Sequence, residues 1–197
     1  MSKLEHISST TELYQFLETL NLLKNSPEFW WPNYGTFEVV VGAILTQNSK
    51  WSRVEVSLEN LRAHNLLHVE ALSQCDIEFL QQQIQPSGMY KNKSKYLKLL
   101  AQNIVKSFES FENFVLQVGR SWLLEQKGIG FESADAILCY ACKRDVMVVD
   151  SYSAKLLQKI GYEVESYQEL QEWFEDETLQ HNYYKYHGMI VEFMKNH

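Results

Sequence analysis

Apolar positions recur at three- and four-residue spacing along nearly the whole chain, the period of an amphipathic helix rather than the alternation of a strand. Thr10 or Thr11 caps a first predicted helix running to about Leu23, and Pro27 and Pro32 then break the chain around Phe29-Trp30-Trp31. From Thr36 to Gln47 the pattern FEVVVGAILTQ is helical in length but apolar nearly all round, which predicts a buried central helix. Val40–Leu45 alone also fits a strand, but the length of the run and the lack of a partner strand favour the helix. Amphipathic stretches follow at Ser52–Ala63, Val69–Gln74 and Ile77–Gln83, then a turn at Pro86-Ser87-Gly88, then helices at Lys91–Phe108 and Phe111–Val118. Arg120–Cys142 reads as two helical segments around Gly128-Ile129-Gly130, and Val146–Val149 as an extended connector. Ser151–Ile160, Ser166–Asp176 and Leu179–Lys195 complete the pattern, with no internal repeat, low-complexity tract or long linker. The fold class is all-α.

Composition changes this picture little, but charge distribution does. The net charge of −7 speaks against a nucleic-acid partner at first sight. Residues 85–160, however, carry eleven Lys/Arg against seven Asp/Glu, so a basic centre sits between acidic flanks. That permits a phosphate-binding face, and equally an ordinary solvated surface. No run approaches the roughly 18 apolar residues of a membrane span, and the N-terminus lacks the apolar core of a signal peptide. Three cysteines, Cys75, Cys139 and Cys142, read as reduced thiols of a cytoplasmic protein without membrane contact.

Leu123–Asp150 carries the strongest chemical signal. A Gly-x-Gly turn between helices can set backbone N–H groups against a phosphate, because glycine has no Cβ to hold the chain away. The N–H groups of Gly128 and Gly130 and of the turn after them would face DNA, with Lys127 alongside. The plainer alternative is a helix–turn–helix connection with glycine as a C-cap. Asp150, at the end of an apolar run and before a helical pattern, reads as an N-cap; capping is compatible with catalysis, since a helix N-terminus favours the ionised carboxylate. Gln47, in Leu45-Thr46-Gln47-Asn48, is either a wedge for a base stack or part of a polar C-terminal turn. Two adjacent Trp cannot both face the core from one helix side, so Trp30 and Trp31, with Pro32 and Trp51, either line a pocket for a flat, cationic base or pack as core. Cys139 and Cys142 form a CxxC with neither the count nor the spacing of a metal site; the histidines are read as giving no paired ligands, and His187 as structural.

With these pieces in order, the chain resembles the helix-hairpin-helix DNA glycosylases of the endonuclease III superfamily over nearly its whole length. LLEQKGIGFESADAIL looks like the family hairpin, Val148-Val149-Asp150 like the position of the catalytic aspartate, GAILTQN like the segment of the intercalating Gln47, and SGMYKNKSKYL like a further family element. WWPN, ESADAILCY and HGMIVEF look most like the 3-methyladenine DNA glycosylase subgroup. The resemblance implies two helical lobes around a central DNA-binding cleft: residues 33–140, with the hairpin at 120–142, and residues 1–32 plus 141–197. It implies a monomer acting on double-stranded DNA that carries a damaged base, and excision of alkylated purines in base excision repair. Asp150 would be catalytic; Trp30, Trp31, Pro32, Trp51 and Glu132 would form the base pocket; Gln47, Asn48, Lys127, Gly128, Ile129, Gly130 and Ser133 would contact DNA. A monovalent cation would fit the carbonyls of Leu124, Gln126 and Ile129.

The departures are equally specific. Bifunctional members carry a lysine nucleophile two residues after the second hairpin glycine, where this chain has Glu132, so no Schiff base can form. Iron–sulfur members carry four cysteines near the C-terminus, whereas none follows Cys142 here, so no cluster and no other cofactor are expected. Glu175–Tyr184 looks like a shortened version of the subgroup's stretch before His187, and Met189 stands where the subgroup has a lysine. The rival readings are a glycosylase of other base specificity, with or without lyase activity, a non-catalytic DNA-binding module, and a helical protein whose hairpin contacts another protein.

Overall fold

The computed structural model describes residues 4–196, and no strand occurs among the described residues. The first helix, α1 (Thr10–Thr19), starts where the Ser9 hydroxyl accepts the Glu12 N–H. It ends at Thr19 rather than near Leu23, because Leu20 closes the last turn and Asn21 takes a left-handed φ of 51°. The chain divides into two compact units, Asn33–Ile137 and the described residues up to Pro32 together with those from Leu138 onward.

The Asn33–Ile137 unit is built around α2 (Phe37–Leu45), every residue of which is buried. An all-round apolar helix has no face to give to water, so its one carboxylate needs partners. Glu38 has them: Arg62 and the Asn33 amide each donate to its Oε1 at 2.7 Å. Against it pack α3 (Trp51–Ala63) and α6 (Tyr90–Phe108), and against α6 pack α4 (Val69–Gln74), α5 (Ile77–Ile84) and α7 (Phe111–Gln117). A second buried charge closes the end of α2. The Lys93 ammonium, 2% exposed, donates to the carbonyls of Leu45 at 2.7 Å and Ser87 at 2.9 Å. Burial pushes that ammonium down to about 8.

The hairpin consists of α8 (Arg120–Leu124) and α9 (Phe131–Ala136), and the chain continues from α9 as a π turn, Ile137–Ala141. The widened turn is a departure from the regular second helix expected up to Cys142; such turns rotate the following side chains relative to an α-helix and are frequent at functional sites.

The other unit joins α1 to α10 (Ser151–Lys159), α11 (Tyr167–Phe174) and α12 (Tyr183–Asn196). Leu13 and Leu17 pack with Leu156, Leu157, Phe174, Tyr186, Ile190 and Phe193 in one core. The Tyr186 hydroxyl donates to the Thr10 carbonyl at 3.1 Å within that core, satisfying a polar group that burial would otherwise penalise. The last helix begins at Tyr183 rather than Leu179. Glu177–Leu179 form a single tight turn capped by Asp176, and His181 then takes a φ of 67°, which breaks the helical path. Among the described residues, no helix is long and apolar enough to cross a membrane.

Candidate active site

Met147, Val148 and Val149 are buried and carry the chain without helix or strand into the N-cap of α10, which Asp150 occupies. The carboxylate is divided in its duties. Oδ1 accepts the N–H groups of Tyr152 and Ser153, both at 2.9 Å, and the Ser153 hydroxyl at 3.2 Å. The Ser153 hydroxyl in turn accepts the Asp150 N–H at 3.3 Å, completing a reciprocal cap. Oδ2 is turned to Nε2 of His187, 3.6 Å away, beyond hydrogen-bond length but close enough for strong attraction to a protonated ring. Burial works to raise the Asp150 carboxyl, but His187 and the Ser153 donors outweigh it and hold the group below its ordinary range.

His187 is 4% exposed; the Tyr140 hydroxyl lies 2.7 Å from its Nδ1 and 3.1 Å from the Tyr184 carbonyl, and its one hydrogen can go to either. The π turn delivers Tyr140, fully buried, to this position. Trp30 and Trp31 both pack on the Tyr140 ring, with centroids 5.8 and 5.1 Å away, and Trp30 also stands edge-on to His187 at 5.1 Å. The premise that adjacent Trp must diverge on a helix therefore does not apply. Neither residue is helical, and a left-handed Trp30 (φ 64°) lets both indoles turn to the same tyrosine. Trp30 is over-determined: its Nε1–H donates to Glu192 at 3.2 Å, and Gly188 leaves room that a Cβ, 2.5 Å from the indole Cγ, would fill. Such restraint is what a strained backbone needs to persist. Pro32 is half-buried beside this pair in sequence.

The predicted DNA-contacting residues lie in the other unit. Gln47, just past the end of α2, donates from its amide to the Gly128 carbonyl at 2.8 Å and to the Ser133 hydroxyl at 3.0 Å. It therefore ties α2 to the hairpin in this structure. Lys127 and Asn48 are exposed, Ile129 is buried as the hairpin's apolar anchor, and the Gln126 carbonyl accepts the Ile129 N–H at 3.1 Å. Glu132 is exposed in the first turn of α9, and Trp51 is half-buried at the start of α3. Asp135, to which the sequence pattern assigns no role, is fully buried and takes two bonds from Arg120, at 2.6 and 2.9 Å, which lock α8 to α9.

The two hairpin glycines differ in their reasons. Gly128 has a φ of 86°, and a Cβ there would lie 2.3 Å from the Tyr96 ring; its missing side chain makes room for Tyr96 rather than for a ligand. At Gly130 an added Cβ would meet nothing within 4 Å. Gly128→Ala should therefore cost about 2–4 kcal/mol in urea unfolding, from overpacking plus a disfavoured φ, and Gly130→Ala less than about 1 kcal/mol. Equal losses at the two positions would contradict this assignment.

No group of three or more His, Cys, Asp and Glu converges as metal ligands among the described residues. His64 and His68 do stand four apart in sequence, against the reading that no histidines pair. They are not one helical face: His64 closes α3, His68 precedes α4, and Asn65 between them takes a φ of 54°. Cys75, Cys139 and Cys142 are buried thiols outside any disulfide, and burial pushes Cys142 up to about 11, away from the thiolate that metals bind. Three cysteines do not make the four-thiolate set of an iron–sulfur cluster.

The chain is a DNA N-glycosylase of the helix-hairpin-helix class, as its family and structural relatives show. The chain belongs to the HhH-GPD superfamily of base excision DNA repair proteins, whose family model matches residues 41–177. It is similar to the H. pylori 3-methyladenine DNA glycosylase (MagIII) in its crystal structure bound to 1,N6-ethenoadenine. That match has a TM-score of 0.92 and 44% identity, over 96% of this chain and 98% of that one. A Methanocaldococcus jannaschii protein named as a DNA repair glycosylase is 37% identical over 175 residues, 84% of this chain and 80% of its own. A trapped endonuclease III–DNA covalent intermediate shares the fold, with a TM-score of 0.78 and 15% identity over 97% of this chain and 88% of that one.

Proposed function

We propose that this protein excises alkylated purines, 3-methyladenine first among them, from duplex DNA by hydrolysis of the N-glycosidic bond, without cleaving the strand. The division of labour in Asp150 carries this reading: Oδ1 is committed to the helix cap, and Oδ2 remains for chemistry beside the Trp30, Trp31 and Tyr140 rings. An alkylated purine bears formal positive charge and leaves without being protonated. The protein has only to extrude the nucleotide, hold the base and support the departing sugar. Oδ2 of Asp150 stabilises the cationic sugar and orients or deprotonates the attacking water. Indole faces at Trp30 and Trp31 attract a cationic base, with Pro32 beside them, and Trp51 and Glu132 contribute to base recognition.

Gln47 fills the gap in the base stack once it exchanges its Gly128 and Ser133 bonds for duplex contacts, with Asn48 next to it. Lys127 and the N–H groups around Ile129 and Gly130 hold phosphate, and the Leu124, Gln126 and Ile129 carbonyls accommodate a monovalent cation. The protein works as a monomer in the cytoplasm, where its three thiols stay reduced.

Release of free base from methylated duplex DNA, followed by an alkali step, tests this directly. We expect 3-methyladenine in the supernatant, strand breaks only after alkali, and no borohydride-trapped adduct, because Glu132 supplies no amine. Breaks before alkali, or a trapped adduct, would refute the monofunctional assignment. Absence of base release would refute the substrate class.

A further inference from the structure

Asp150 and its cap account for one oxygen of the carboxylate. The other oxygen faces a histidine. His187 lies on α12, far from Asp150 in sequence, yet its Nε2 is 3.6 Å from Oδ2 and has no hydrogen-bond partner despite full burial of that atom. Its Nδ1 is fixed by the Tyr140 phenol at 2.7 Å, and its ring stands edge-on to Trp30. A ring held this firmly, with its second nitrogen aimed at a single carboxylate oxygen, has a defined protonation pattern. The phenol has one hydrogen, for which Nδ1 and the Tyr184 carbonyl compete; where the phenol donates to Nδ1, the neutral ring carries its own hydrogen on Nε2, and where it donates to the carbonyl, Nδ1 carries one. If the ring is charged, both nitrogens carry one. The remaining arrangement, a neutral ring with Nδ1–H, sets the Nε2 lone pair against the carboxylate and is disfavoured. In both favoured states Nε2 presents a hydrogen to Oδ2.

We infer that His187 is a positioning residue for Asp150: with its ring fixed by Tyr140, it aims Oδ2 at the reacting sugar and water and keeps that oxygen from turning into the helix cap. This rests on the reading of Asp150 as the catalytic carboxylate. The consequence is electrostatic as well as geometric. Without an Nε2 hydrogen, burial of Asp150 loses its main counterweight and the carboxyl takes up protons at higher pH. The groups facing the pair are few. Tyr140 comes from the π turn and Ser153 from α10. On α12, Glu192 and Lys195 pair with one another at 2.9 Å, and both contact the Trp30 indole that stands edge-on to His187.

Single-turnover base release from methylated duplex, measured between about pH 5 and 8, separates this role from a merely structural one. The parent rate should be flat across that range, because its carboxyl stays ionised. His187→Phe, which keeps a planar ring and deletes the donor, should lose about tenfold or more at the acid end and recover as pH rises. His187→Gln, whose amide offers an N–H near Nε2, should restore most of the rate. Tyr140→Phe removes only the hydroxyl that fixes the ring and should displace the acid limb the same way by less; it decides the matter if His187→Phe does not fold by circular dichroism. A profile that superimposes on the parent, or falls equally at every pH, overturns the inference. Asp150→Asn, run in parallel, keeps the two readings apart: if it remains active, the catalytic assignment of Asp150 fails, whereas an inactive Asp150→Asn with an unmoved His187→Phe limb sinks only the role of His187.

Discussion

Asp150→Asn is expected to reduce release of methylated base by about 10³-fold or more while leaving the protein folded. The two halves of this expectation come from the two oxygens. Asparagine is as good an N-cap as aspartate, and its amide oxygen still accepts the Tyr152 and Ser153 N–H groups that Oδ1 accepts now. The cap should therefore cost no more than about 1 kcal/mol, a shift of a few degrees in Tm. What the substitution removes is the negative charge of Oδ2, and with it both the support of a cationic sugar and the acceptor for a water proton. The variant also carries a signature in stability against pH. The Asp150 carboxyl is held below its ordinary range in the fold, so its ionised form contributes stability above the unfolded carboxylate range and loses it as pH falls through the lowered value. The parent should lose stability on acidification more steeply than the Asn variant. A residual rate within tenfold of the parent, from a folded Asn variant, would remove Asp150 from the chemistry.

Arg120→Met should be strongly destabilising, at about 3 kcal/mol, or roughly 6–12 °C in Tm. Asp135 is fully buried, and both its oxygens are satisfied by the Arg120 guanidinium at 2.6 and 2.9 Å. Removing the cation leaves a buried charge exposed to neither water nor that donor, which costs more than the pair contributes while intact. The lower end of the range for buried pairs applies because the Arg120 side chain is itself 38% exposed and screened by solvent. The double variant Arg120→Met with Asp135→Leu should recover most of the loss, since an apolar pair of similar volume does without the charge. Chemical denaturation of the two variants checks this. A double variant no more stable than the single one would show that the pair stabilises the hairpin through its attraction rather than through avoidance of an orphaned charge.

The chain's helical character, the hairpin position and the place of Asp150 were legible in the sequence because each is written locally. A three-to-four residue apolar period specifies a helix wherever it occurs, and α4 runs Val69–Gln74 as the pattern predicts. Helix ends were less legible. Asn21 and His181 adopt left-handed backbone at α1's exit and before α12, and nothing in the apolar period marks such a residue. Asp150 could be read as a cap because an aspartate before a helical pattern is a local signal. Gly128 was legible as a turn residue but for an incomplete reason, since the ring of Tyr96, from a distant helix, occupies the space beside it. Lys93 lies within SGMYKNKSKYL, yet its burial against the Leu45 and Ser87 carbonyls depends on where α2 ends in space.

By itself, then, the sequence determined an all-helical chain, a Gly-x-Gly hairpin, a carboxylate at a helix start and the lack of an amine at residue 132. These follow from spacing, backbone freedom and residue chemistry within a few positions. The tertiary structure alone decided that His187 faces Asp150, that Tyr140 fixes His187, that Gly188 makes room for Trp30, and that Arg120 neutralises Asp135. Each joins residues whose local patterns are independent of one another. Only packing within each unit, where burial favours paired polar groups, brings them within reach.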